Sequence, residues 1–194
     1  MKKNMFKSLM AFVVVFSMIS FVGNSLKEKE VKVKKSEITW KGEKVTGFHE
    51  GKIQLKDGFL LMDAGKLKGG EFVMDMTSIT VTDPDLSGED KGKLEGHLKS
   101  DDFFGAQNHP TAKLVIKNAS KKSGNTYGVV GELTIKGKTN PVTFNMEVKE
   151  NEAEAEITID RSKYDVRYGS GSFFDDLGDK TIYDNFELDI DLKF

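Results

Sequence analysis

Phe186-Glu-Leu-Asp-Ile-Asp-Leu-Lys-Phe194 is the stretch that decides the fold. Phe186, Leu188, Ile190, Leu192 and Phe194 alternate with Glu187, Asp189, Asp191 and Lys193. A period of two puts the apolar side chains on one face of a strand and the charged ones on the other. The same rhythm runs upstream. Ala153, Ala155, Ile157 and Ile159 follow a turn at Glu150-Asn151-Glu152, and Val142, Phe144, Met146 and Val148 follow one at Gly137-Lys-Thr-Asn-Pro141. Thr126 to Lys136 sets Val129, Leu133 and Ile135 against Glu132, Thr134 and Lys136, after Thr111 to Ala119 and a turn at Ser123-Gly-Asn125.

Nearer the start, Ile38 and Trp40 alternate with Glu37, Thr39 and Lys41. Val45, Gly47, His49, Gly51, Ile53 and Leu55 then share a face, with Phe48 the apolar exception on the other. Asp57-Gly58 reads as a hairpin turn, returning through Phe59 to Met62. Gly69-Gly70 reads as a break before a long strand, Glu71 to Thr82, that Asp83-Pro84 ends. Eight or nine antiparallel strands, each wet on one side, make an all-β sandwich or closed barrel. Closure removes exposed edges, and about eight strands enclose room for one small ligand.

Leu94 to Pro110 interrupts the pattern and is the part that reads as helix. Leu94 and Leu98 stand on one helical face, with His97 beside them. Ser100 occupies an N-cap position, Asp101 and Asp102 a first turn, and Gly105 and Pro110 stop the helix. A second loop, Ser170 to Gly178, repeats the chemistry with Phe173-Phe-Asp-Asp176.

Residues 1–25 read as a cleaved signal peptide: Lys2, Lys3 and Lys7, an apolar run from Leu9 to Val22, and the small residues Gly23-Asn-Ser25. A charged tether over residues 26–35 would join it to a domain over residues 36–194, exported to the periplasm. Of 29 Lys and Arg residues three lie in the leader, leaving 26 against 31 acids and a net charge of about −5. That argues against nucleic acid or an anionic membrane surface as the main partner. With no cysteine, disulfides, thiolate metal sites and a cysteine nucleophile are excluded. No phosphate loop or nucleophile elbow is present either, so no cofactor is expected.

The ordered blocks Trp40-Lys-Gly, Thr46-Gly-Phe-His-Glu-Gly51, His97-Leu-Lys-Ser-Asp-Asp-Phe-Phe104, Gly131-Glu-Leu-Thr-Ile-Lys-Gly137, Pro141-Val-Thr-Phe144, Asp160-Arg161 with Tyr168, and Ser170-Gly-Ser-Phe-Phe-Asp-Asp-Leu177 resemble the YceI-like, polyisoprenoid-binding proteins of bacteria. The resemblance implies an eight-stranded lipocalin-like barrel with a short helical insert, holding an isoprenoid or fatty amphiphile. Transient contact with membrane lipids and a homodimer are further expectations.

Candidate ligand-binding residues are Trp40, His49, Phe103, Phe104, Phe144, Arg161, Tyr168, Phe173 and Phe174. By parity His49 points inward between two glycines, either toward a ligand headgroup or toward a buried acceptor of the protein itself. Arg161 is either a headgroup ligand or part of a structural ion pair. The two Phe pairs are either a lid or a plug. His97 and His109 flank Asp101 and Asp102, but the chain has only three histidines, and no metal site is expected. Two rivals to a carrier stay open: a lipid isomerase or cyclase using His49 as its titrating group, and an adaptor whose barrel is filled by its own side chains.

Overall fold

The computed structural model of the chain describes residues 28–194; the apolar leader lies outside them. The strands are β1 (Lys29–Lys32), β2 (Lys35–Lys44), β3 (Gly47–Asp63), β4 (Lys66–Val81), β5 (Thr111–Ser123), β6 (Thr126–Ile135), β7 (Lys138–Val148), β8 (Glu152–Asp160) and β9 (Ile182–Lys193). Neighbours run in the order β2-β9-β8-β7-β6-β5-β4-β3, all antiparallel, and β3 returns to β2, so eight strands close into a barrel. The period-two faces thus become inside and outside. One end, called upper here, carries both long inserts, residues 82–110 and 161–181.

Four local expectations change. The charged segment expected as a tether contains β1, which pairs with β3 from Lys29↔Met62 to Lys32↔Phe59. Its charges suit an edge strand, where they discourage pairing with another chain. Asp57-Gly58 is no hairpin but lies within β3, at a bulge after Leu55. A Cβ on Gly58 would stand 2.7 Å from the Phe72 ring, so this glycine admits an aromatic side chain from β4. The reversal comes at Ala64-Gly65, both at positive φ, as a two-residue hairpin requires. Gly69-Gly70 likewise lies inside a strand, where a Cβ on Gly70 would meet the Phe59 carbonyl at 2.7 Å. Of the expected turn from Gly137 to Pro141, only Gly137 turns, joined by Lys136, the last residue of the strand expected from Thr126; both φ are again positive. Pro141 is tolerated within β7 because that strand pairs with β8 only from Asn145 to Val148, leaving one side without a ladder.

The helix is also displaced. α1 spans Gly88–Lys99, and Ser87 is its N-cap, accepting the Asp90 N–H at 3.1 Å while its hydroxyl donates to Asp90 Oδ2 at 2.7 Å. Ser100 ends the helix, its N–H donating to the His97 carbonyl. Leu98 is buried on the expected face, with Leu94 packed beside it.

The lower half of the barrel is solid. Leu60, Leu67, Val129, Ala153 and Leu192 are all at most 2% exposed.

Candidate functional site

Above that floor the barrel encloses an apolar cavity of about 130 Å³. Ile38 and Trp40 of β2, Ile53 of β3, Met74 and Met76 of β4, Leu133 and Ile135 of β6, and Phe186, Leu188 and Ile190 of β9 contribute to its wall. Gly42 and Ala112 supply two small wall positions. Leu98, Phe103 and Phe104 cover it from the insert after β4, and Arg161 and Ile182 border it from the β8–β9 side.

Trp40 is fixed by its neighbour across the ladder, Gly51. A Cβ on Gly51 would fall 2.7 Å from the indole and 1.8 Å from the Thr80 carbonyl, so only glycine lets the ring lie there. The indole Nε1–H donates to that same carbonyl at 3.2 Å, tying β2 across β3 to β4.

Four edge-on aromatic contacts lead from the upper surface inward. Tyr168 meets His97 at 4.3 Å between centroids, His97 meets Phe103 at 5.7 Å, Phe103 meets Phe104 at 5.0 Å, and Phe104 meets Phe186 at 6.1 Å. Phe103 is buried, whereas Tyr168 is half exposed. Lys136 braces this cover by donating to the Phe103 carbonyl at 2.7 Å.

Arg161 is buried beside the cavity with its donors in use. Its Nε–H donates to the Tyr183 carbonyl, Nη1 to the Val166 and Tyr168 carbonyls, and Nη2 to the Ile182 carbonyl, all within 3.2 Å. Asp184 Oδ1 stands 3.5 Å from Nη2, and the cation lies 5.4 Å from the Phe103 ring centroid. Burial pulls the guanidinium below its ordinary pKa, opposed by Asp184 and Asp160. Such a group clamps the β8–β9 insert onto the start of β9.

His49 shares the inner face with Gly42, its cross-strand partner, at the upper end of the ladder. Its Nδ1 lies 2.8 Å from Asp83 Oδ2, and Asp83 Oδ1 also accepts the Asp85 N–H. The His49 contact is the main cause holding the Asp83 carboxyl below its ordinary range. His49 does not border the cavity. Phe144 sits deep in the core opposite Val129, below the cavity. Phe173 and Phe174 stand exposed on the upper insert, the Arg167 guanidinium lying 4.9 Å from the Phe173 ring centroid.

Of the candidates read from sequence, the fold therefore gathers Trp40, Phe103, Phe104 and Arg161 around the cavity. The others lie above, below or beside it. Sequence reading missed Ile38, Met74, Met76 and Ile182 as wall residues. Strand parity marks side chains as inward, but says nothing of which inward positions border a void. Among the described residues, no group of three or more His, Asp or Glu side chains is placed to hold a metal ion.

Comparison with known proteins fits this architecture. The YceI-like domain matches residues 30–194, and the chain belongs to that family. A UPF0312 protein of Shewanella denitrificans is 31% identical over 97 residues, covering 50% of this chain and 48% of the relative. A UPF0312 protein of Staphylococcus aureus is 36% identical over 85 residues, covering 38% of this chain and 47% of the relative. The chain thus spans about half the length of these curated relatives. Burkholderia cenocepacia BcnA superposes with a TM-score of 0.62 at 24% identity, over 81% of this chain and 94% of its own. A polyisoprenoid binding domain of Saccharophagus degradans gives 0.58 at 12% identity, over 86% and 97%. At those identities the likeness establishes the fold: a lipocalin-like antiparallel barrel.

Proposed function

We propose that this protein is a carrier that holds the apolar chain of a polyisoprenoid or related amphiphile in the upper half of its barrel. The observation that carries the reading is the cavity itself, walled mainly by Ile, Leu, Met and Phe, directly above a solid floor. Each Å² of apolar surface moved from water into such a wall contributes about 25 cal/mol, so a hydrocarbon chain needs no charged anchor to be retained. That the structurally similar Saccharophagus degradans protein is a polyisoprenoid binding domain points the same way.

At about 130 Å³ the cavity is smaller than the roughly 300–1,000 Å³ of most ligand pockets. A long chain therefore enters by displacing wall side chains, and Met74 and Met76 are suited to this because methionine repacks with little strain. The isomerase alternative asks for a titrating base in the cavity; His49 is instead engaged by Asp83 outside it.

The reading includes export to the periplasm, on the strength of the leader, and brief contact with membrane lipids during exchange. Val45, Phe48, Tyr168, Phe173, Phe174 and Tyr183 are exposed, and all lie on the upper loops or the strand ends beside them. An apolar rim at the end that houses the cavity suits collision with a bilayer. A homodimer would use the same rim.

Trp40 is the only tryptophan in the chain and it borders the cavity, so it reports on filling. Titration with all-trans-retinol, a fluorescent isoprenoid alcohol, should quench Trp40 emission saturably at one equivalent. Emission unchanged through an excess of retinol would sink the proposal.

A further inference from the structure

The barrel wall is split between β2 and β3. Their ladder ends at Thr39↔Lys52, while β1 pairs with β3 from Lys32↔Phe59 downward. Both ladders have the same register, so β1 and β2 are one interrupted strand laid along β3. In the interval the chain turns away to β9, where the Lys34 N–H donates to the Lys193 carbonyl and Lys35 to Ile38 pair with Lys193 to Ile190. On the other lip β3 bulges twice against β4, after Lys52 and after Leu55. The Val33 N–H closes the lower end by donating to the Gly58 carbonyl at 2.9 Å. Five positions, Lys34 to Ile38 facing Ile53 to Asp57, carry no β2–β3 pairing. At about 3.3 Å per residue the slit is roughly 16 Å long.

What fills it is side chain. Ile38 and Ile53 border the inner cavity and also an outer groove over the slit, so they alone separate the two at that point. Outside them, Lys52 Nζ lies 2.6 Å from Glu37 Oε1, an exposed ion pair that bridges the lips. A barrel held by backbone hydrogen bonds opens only by breaking them; here the lips are held at the upper end by two aliphatic side chains and the exposed Glu37–Lys52 pair, with a looser exposed pair, Lys32 to Asp57 at 3.8 Å, at the lower end.

We propose that this slit is the door through which a flexible hydrocarbon chain passes sideways into the cavity, with Ile38 and Ile53 as its leaves and Glu37–Lys52 as its latch. The proposal rests on the carrier reading. It explains how a chain reaches the cavity with the Phe103–Phe104 cover left in place. It also assigns Gln54, which faces Glu37 across the slit in the common register, to the outer lip.

The chain has no cysteine, so a pair can be introduced cleanly. E37C/Q54C, both at exposed positions, is joined by a short bis-thiol-reactive linker. Retinol uptake and release are then followed through Trp40 in stopped flow. Compared with the unbridged variant, bridging before loading should slow uptake at least tenfold, and bridging after loading should slow release as much; the unbridged variant itself lacks the Glu37 half of the latch and should exchange two- to threefold faster than wild type at low salt. Bridged and unbridged protein exchanging at equal rates would overturn the door and place passage over the upper rim. Should the paired variant not fold, K52Q removes only the latch. It should raise both rates two- to threefold at low salt, and rates equal to wild type would overturn the proposal. No retinol uptake by wild-type protein would overturn the carrier reading and the door with it.

Discussion

The two halves of the barrel are built from the same alternating strands, yet only one holds space. Below, Leu60, Leu67, Val129 and Leu192 meet from four strands and leave nothing exposed. Above, Gly42 and Ala112 stand where larger side chains would fill the interior, and the inserts roof the space instead of plugging it. The contrast shows that alternation builds a wall, while residue size at a few inward positions decides whether the wall surrounds a core or a cavity. The lower half then carries stability and the upper half carries the ligand, which makes the two separable by mutation.

The roof anchor should be the most sensitive point. Arg161→Met leaves four carbonyls without their donor and Asp184 without its countercharge, and should cost about 3–5 kcal/mol by denaturant titration. A loss below about 1 kcal/mol would mean that the insert holds its place without the clamp. In the floor, Leu60→Ala should cost about 2–5 kcal/mol and leave retinol affinity unchanged in the protein that remains folded. In the cavity the pattern reverses. Ala112→Leu should alter stability by no more than about 1 kcal/mol, because it grows into existing space, and weaken retinol binding at least tenfold. If Leu60→Ala and Ala112→Leu behave alike, the division into floor and cavity is wrong.

A pH series sharpens the same division. Tyr164 is buried at the start of the β8–β9 insert, and burial first, then the Asp160 charge, push its phenol up to about 12 from 10.0. The folded state keeps that proton longer than the unfolded chain. Its contribution is therefore complete below pH 10.0 and lost as the pH rises toward about 12. Denaturation midpoints measured across that window should fall in wild type and less steeply in Tyr164→Phe; parallel curves would remove Tyr164 as the cause. The smallest effect belongs to the rim. Phe174 is half exposed, so Phe174→Ala should change stability by less than about 0.5 kcal/mol while reducing pelleting with phosphatidylcholine vesicles.

Much of the wall was legible in the sequence and much of the site was not. Phe186 to Phe194 announces a strand with one dry face, and Phe186, Leu188 and Ile190 do border the cavity. His49 was readable as inward because parity is local. Its partner Asp83 was not, being 34 residues away and brought alongside only when β3 pairs with β4. Arg161 likewise offered two readings, since backbone carbonyls that accept from it leave no mark in the sequence. The helix was misplaced for a related reason. Ser87 and Ser100 are each followed by acids, so the same cap chemistry appears on both sides of Leu94 and Leu98. Only the packing of those leucines tells which serine opens the helix. At Gly58 and Gly70 a turn signal was in fact room for Phe72 and for the Phe59 carbonyl.

The central claim is that the upper cavity carries a hydrocarbon chain, and native mass spectrometry tests it most directly. Protein purified from the cell envelope of its own host should show a stoichiometric mass increment that solvent extraction releases as an isoprenoid or fatty compound, and Ala112→Leu prepared alongside should show the bare mass. Bare wild-type protein that also fails to take up added retinol would contradict the account and leave a barrel that binds no lipid.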